Sequence, residues 1–183
     1  IAAAAAALGS NRVATIDGVE AARAAAFLIT ASEGGQLHLP TLRHRAGDFE
    51  PLTVDRLLAG TLLPAAWVLQ AQRYRRVFHS RFMELLASVD VLLAPATPRP
   101  AHRIGDDTFT VRGQSLPARA SVGLLTQPIS FIGLPVVAVP VWNAELPIGV
   151  QVIAAPWKEG LALRVAAWLE QEGICRSPVA KAS

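Results

Sequence analysis

Apolar residues recur at helical spacing over Gly18–Ser32, where Val19, Ala22, Ala26 and Ile29 mark one face of an alanine-rich segment, and this predicts a helix. Val13–Ile16 predicts a short strand just before it. Leu42–Glu50 turns polar and contains Gly47, which predicts a loop. Thr53 has the side chain of an N-cap, with Asp55 near the positive end of a helix running through Ala59. Pro64 opens the longest predicted helix, through about Ala87. Trp67, Tyr74, Val77, Phe78, Phe82 and Leu85 give it an apolar face, and Arg73, Arg75 and Arg76 fall largely on the other side.

The pattern shifts toward strands after that helix. Asp90–Pro95 predicts a buried strand ending in a proline turn. Thr108–Leu116 predicts a hairpin turning near Arg112-Gly113, and Arg119–Leu125 a short helix. A turn-rich run, Thr126–Pro135, leads into the uncharged strand Val136–Pro140. Leu146–Ile153 predicts a second strand, followed by a helix over about Gly160–Gln171. Alternating strands and helices argue for an α/β layered sheet. The opening Ile1–Leu8 reads as the end of a helix stopped by Gly9 at C′, so the sequence is expected to be the later part of something longer.

The chain has 183 residues, 52% hydrophobic and 17% charged, which suits one domain with a packed core rather than a disordered segment. Net charge is +3, but only Arg73–Arg76 clusters, which is poor support for nucleic acid binding. The single cysteine, Cys175, leaves no internal disulfide framework and no cysteine metal site. His44, His79 and His102 lack the spacing of metal ligands, so neither metal nor cofactor is expected. Ala120–Ala144 is uncharged, but Gly123, Pro128, Gly133, Pro135 and Pro140 interrupt it, so it is not read as a membrane span. A soluble cytoplasmic protein is expected, with no membrane partner.

Three blocks carry a family resemblance. They are Asp90-Val-Leu-Leu-Ala-Pro-Ala-Thr-Pro98, the loop Thr126-Gln-Pro-Ile-Ser-Phe-Ile-Gly-Leu-Pro135 and the strand Pro147-Ile-Gly-Val-Gln-Val-Ile153. In this order and spacing the chain resembles the C-terminal portion of the amidase signature family, over essentially its whole length, as part of a single amidase domain. The resemblance implies an α/β fold with a mixed β-sheet covered by helices on both faces. Ala21–Thr30, Glu33-Gly34, Leu37–Leu39, Leu58–Pro64 and Ile153–Trp157 are similar to the carboxybiuret-hydrolysing branch, which serves cyanuric acid breakdown.

That resemblance implies hydrolysis of a C–N amide bond in a small carboxylated urea- or biuret-type substrate, by a serine activated through a cis-peptide serine and a lysine. No Gly/Ser-rich run of that kind is present, and the only lysines, Lys158 and Lys181, lack a serine-rich partner loop. No residue here is therefore assigned a catalytic role. The triad is expected in an upstream half of the same enzyme, and this segment alone is expected to be inactive. The other partners implied are the small-molecule amide, a second copy of the enzyme and a small accessory subunit. Two alternatives stand beside this. One is a non-catalytic binding or assembly protein of amidase ancestry. The other is an enzyme like the amidase-type component of a glutamyl-tRNA(Gln) amidotransferase.

Substrate contacts remain as candidates. Arg56 stands where the amidotransferase branch of the family keeps a carboxylate-holding arginine, and a guanidinium fork suits a carboxylate. The competing reading is a solvated helix arginine. His38, beyond a Gly34-Gly35 turn that Glu33 precedes, would hydrogen-bond a carboxylate or urea-like oxygen, or serve as a structural or surface histidine. Thr126, Gln127 and Ser130 either face substrate or satisfy their own turn, and Ser130 stands where the family loop usually has asparagine. Ser32 replaces a tyrosine of related branches. Gly123 replaces an aspartate suited to the amino group of glutamine, which makes glutamine a poorer substrate. Trp142 and Trp157, near strand ends, are expected in the core or at a partner interface.

Overall fold

The computed structural model describes residues 1–142 and 145–179. In chain order the elements are α1 (Ala2–Ala7), α2 (Val19–Arg45), a 3-10 turn (Ala46–Asp48), α3 (Pro51–Thr61), α4 (Ala65–Leu86), β1 (Leu92–Pro95), β2 (Thr108–Val111), β3 (Gln114–Pro117), α5 (Ala118–Ser121), α6 (Gln127–Ser130), β4 (Val136–Val141), β5 (Ile148–Ile153) and α7 (Glu159–Gln171). Two compact units result. Residues 16–81 form one; residues 1–15 and the described residues from 82 onward form the other, with the unit boundary falling within α4.

The unit of residues 16–81 is helical, built on α2 packed against α3. Here the structure departs from the pattern at several points. The helix expected to end at Ser32 continues through Gly34, Gly35 and Pro40 to Arg45, so α2, at 27 residues, and not α4 is the longest. Gly34-Gly35 is thus helix rather than turn, and much of the predicted Leu42–Glu50 loop is helical as well. Glycine costs helix about 1 kcal/mol relative to alanine, but here it lets two backbones meet. A Cβ on Gly35 would lie 2.5 Å from the Leu57 carbonyl oxygen and 2.9 Å from the Thr61 nitrogen. Tertiary approach outweighs propensity.

α3 starts earlier than the expected N-cap Thr53 would place it. Glu50 is its N-cap and Pro51 its first residue; Thr53 lies one turn in, its hydroxyl 3.0 Å from a Glu50 carboxylate oxygen. Proline at the first helical position, where a missing N–H costs nothing, was the stronger signal.

On α4, Ala71, Phe78, Phe82 and Leu86 are buried, whereas Trp67 and Val77 are 58% and 49% exposed. The buried stripe is narrower than the apolar composition suggested. Residues 11–16 adopt no regular structure, and Val13 is 93% exposed; a strand needs a neighbour to pair with, and Val13–Ile16 has none among the described residues.

In the other unit a three-stranded sheet runs in the order β1-β5-β4, antiparallel throughout. With its helices it gives the expected α/β class. Side chains alternate across β5. Val150 and Val152 join Val139, Val141, Ala162, Leu169 and Ala4 in one buried cluster, so α7 and α1 cover that face. Residues 149, 151 and 153 point the other way. β1 is half-buried rather than fully buried. Pro140 lies in the outer strand β4, where a missing N–H is tolerated.

The hairpin β2–β3 turns at Arg112-Gly113, both with positive φ, 49° and 79°, as a tight two-residue turn requires. α1 ends as expected, with Gly9 at φ 66° and the Ser10 N–H on the Ala5 carbonyl at 2.9 Å. No single helix among the described residues is long and apolar enough to cross a membrane.

Candidate functional site

The segment between α5 and β4 carries Thr126, Gln127 and Ser130. It is not an open loop. The Gln127 N–H reaches the Gly123 carbonyl at 2.9 Å, and those of Ile129 and Ser130 reach Thr126 at 3.0 and 2.9 Å, winding one helical turn, α6. Pro128 fits because it falls in the first turn. Ile129, Phe131, Ile132 and Leu134 are buried and anchor the segment, leaving Thr126 and Gln127 half-buried and Ser130 exposed. The Ser130 hydroxyl donates to the Gln127 carbonyl at 3.2 Å, so in this arrangement it serves its own turn. Thr126 and Gln127 are the polar residues here whose side chains are partly covered yet reachable.

Gly123 lies one turn before Gln127. A Cβ there would meet only Thr126 Oγ1 at 3.8 Å and Gln127 Cβ at 3.9 Å. A larger residue fits, so the absence of a carboxylate at this position is not imposed by space.

Arg56 and His38 belong to the helical unit. Arg56 is exposed on α3, its guanidinium carbon 5.8 Å from the centre of the Phe27 ring on α2, a cation–π distance. No carboxylate among the described residues pairs with it. His38 is half-buried on α2, its ring 5.4 Å from that of Phe49 and at 75°, edge-on. Phe27 and His38 lie eleven residues apart on one helix, about 16 Å along its axis. The Arg56 guanidinium and the His38 ring therefore stand at different turns along α2. The aromatic partners Phe27 and Phe49 were missed in the sequence, because pairing across elements leaves no periodic trace.

Glu33 is exposed and Ser32 half-buried on α2. Lys158 is exposed at the N-cap of α7; Lys181 lies outside the described residues. Among the described residues no three His, Cys, Asp or Glu side chains gather as metal ligands would. Cys175 is buried, and burial, with the Glu170 carboxylate adding to it, pushes its thiol above the ordinary value, the opposite of nucleophile activation. Trp157 is 91% exposed with φ 66°, so it is no core residue. The Trp142 indole N–H donates to the Arg176 carbonyl at 2.8 Å, and the Arg176 guanidinium lies over its ring.

The Amidase family model matches residues 4–163. The chain is 53% identical over 172 residues to AtzE, the 1-carboxybiuret hydrolase subunit from Pseudomonas sp. (strain ADP), covering 92% of this chain and 38% of that protein. It is 36% identical over 135 residues to a glutamyl-tRNA(Gln) amidotransferase subunit from Pseudomonas syringae pv. tomato, covering 70% of this chain and 27% of that one. Among solved structures, an inhibitor-bound s-triazine catabolic enzyme in a vestigial protein complex superposes with a TM-score of 0.91 at 52% identity, covering 96% of this chain and 39% of that one. The chain thus spans well under half the length of these relatives.

Proposed function

The chain belongs to the amidase family, and on that premise we propose that it is the C-terminal segment of a hydrolase cleaving a C–N amide bond in a small carboxylated urea- or biuret-type compound. The observation that carries this reading is the 53% identity, across nearly the whole chain, to a 1-carboxybiuret hydrolase. On this reading the Ser, cis-Ser, Lys triad is supplied by sequence preceding Ile1, and the present segment contributes recognition and part of the sheet. The low share of the relative's length that is covered, 38%, fits that division. The enzyme is read as cytoplasmic. Self-association and an accessory subunit fit the relative solved within a protein complex.

Gly123 speaks against the amidotransferase-like alternative. It provides no charge for a glutamine amino group, although the backbone leaves room for one. Arg56, exposed and without a carboxylate partner among the described residues, is free to hold an anionic group.

The test is ammonia release by the full-length gene product with 1-carboxybiuret, biuret and glutamine in parallel. Preference for the carboxylated compound is expected. Glutamine hydrolysed at equal or higher kcat/KM would reinstate the amidotransferase reading, and no C–N hydrolysis at all would favour a binding or assembly role.

A further inference from the structure

Gln151 is the polar side chain at the centre of the sheet, 3% exposed in the middle of β5. It points away from the Val150–Val152 core face. The register sets Ala94 on one side of it and Ala138 on the other, two small neighbours that leave its carboxamide room to lie across the sheet. Its Nε2 donates to the Pro95 carbonyl at 2.9 Å and to the Leu125 carbonyl at 3.2 Å. An amide nitrogen carries two protons, so both are spent on main-chain acceptors from separate segments. Pro95 closes β1, and Leu125 immediately precedes Thr126.

The far end of the same segment is held by β5's own extension, where the Ala154 N–H donates to the Pro135 carbonyl at 3.0 Å. The stretch Leu125–Pro135 is thus tied to one strand at entry and exit, three residues apart along that strand. Thr126, Gln127 and Ser130 lie between the ties. Leu125 lies outside any strand and Pro95 at the end of β1, both half-buried, and a carbonyl shielded from water needs a donor. A side chain of equal length without donors would fill the space but withdraw the Gln151 donor from both carbonyls.

We infer that Gln151 is a positioning residue: its carboxamide fixes the entry of the Thr126–Ser130 turn against the β1 exit and so sets where Thr126 and Gln127 stand. Its consequence for catalysis rests on the reading that this turn faces substrate.

The experiment uses the full-length enzyme and the variants Gln151→Met, which keeps length and loses both donors, and Gln151→Glu, which as the neutral acid keeps one. Hydrogen exchange is followed for the turn amides of Gln127, Ser130 and Phe131 and for the strand amides of β4 and β5. In Gln151→Met the turn amides should exchange about tenfold faster or more while the strand amides keep their rates. With 1-carboxybiuret as probe, KM should rise about tenfold while kcat changes by less than about threefold, a split expected when binding geometry is lost and chemistry is not. Gln151→Glu should fall between Gln151→Met and the parent on both readouts at acid pH, where the carboxyl keeps its proton, and should match or exceed the Gln151→Met effect at higher pH, where an acceptor-only carboxylate faces two carbonyl oxygens. Unchanged turn exchange, equal acceleration of turn and strands, or loss of cooperative melting in both variants would overturn the proposal. Faster turn exchange with unchanged KM would leave the positioning role intact and remove the turn from the substrate site.

Discussion

Gly60 on α3 backs onto Ala31 on α2 so closely that a Cβ at Gly60 would overlap the Ala31 carbonyl, and it would also sit 3.1 Å from the Ser32 nitrogen. Both potential obstacles are main chain, which has no rotamer with which to yield. Gly35 makes the reciprocal approach from α2 to Leu57 and Thr61. The two helices interlock through their glycines, and this contact lets α2 run through Gly34-Gly35 unbroken.

Gly60→Ala should therefore destabilise the helical unit by about 2 kcal/mol or more, the scale of overpacking, despite alanine's better helix propensity. Gly160→Ala, near the start of α7, where an added Cβ would meet nothing within 4 Å beyond its chain neighbours and its own helix backbone, should stabilise by about 0.4–1 kcal/mol. Chemical denaturation of the two variants beside the parent checks the pair. A neutral Gly60→Ala would mean that the two helices separate without cost.

Arg56→Ala in the full-length enzyme should weaken transition-state binding by about 2–4 kcal/mol for a carboxylated substrate, the scale for losing one partner of a charged hydrogen bond. An amide without the carboxylate should lose much less. Equal losses in kcat/KM for both compounds would mark Arg56 as a structural arginine whose role is its stacking on Phe27. Phe27→Leu separates the two effects, since it removes the ring and keeps the charge.

Cys175, buried and beside Glu170, has its thiol raised above the ordinary value of 9.0. The unfolded chain then ionises first as pH rises. The stabilising contribution is full below the unfolded pKa and is lost as pH climbs through the folded one. Cys175→Ala should flatten that part of the alkaline decline in denaturation midpoint. In the native parent the thiol should react with a thiol reagent about a hundredfold or more slower than in denatured protein. Equal rates would show that the site opens freely.

If the triad lies upstream as proposed, this segment expressed alone should release no ammonia from amide substrates, because recognition groups without a nucleophile form no acyl-enzyme. It should also self-associate. β4 is the outer strand of the β1-β5-β4 sheet, with Val136 and Ala138 exposed on it, and an uncharged open edge pairs readily with other chains. Size-exclusion chromatography decides the second point. A sharp monomer peak with a cooperative melt would show that the segment closes its own core.

The sequence by itself determined the elements whose signals are local. Arg112-Gly113 specified the hairpin turn, Gly9 the end of α1, and the valine-rich runs Val136–Val139 and Val150–Val152 the paired strands. The three motif blocks were also enough to establish the family, because order and spacing survive without coordinates. Tertiary structure alone decided where distant residues meet. Gly34-Gly35 looked like a turn until α3 came close enough to require glycine inside a helix. Arg56 acquired Phe27, and His38 acquired Phe49, through packing between separate elements. Gln151 was visible as a motif letter, but its two carbonyl partners, at Pro95 and Leu125, are joined only when β5 pairs with β1 and the turn folds over the sheet. Periodicity and capping record interactions within a few residues, whereas approach, burial and hydrogen bonding across elements depend on the assembled backbone.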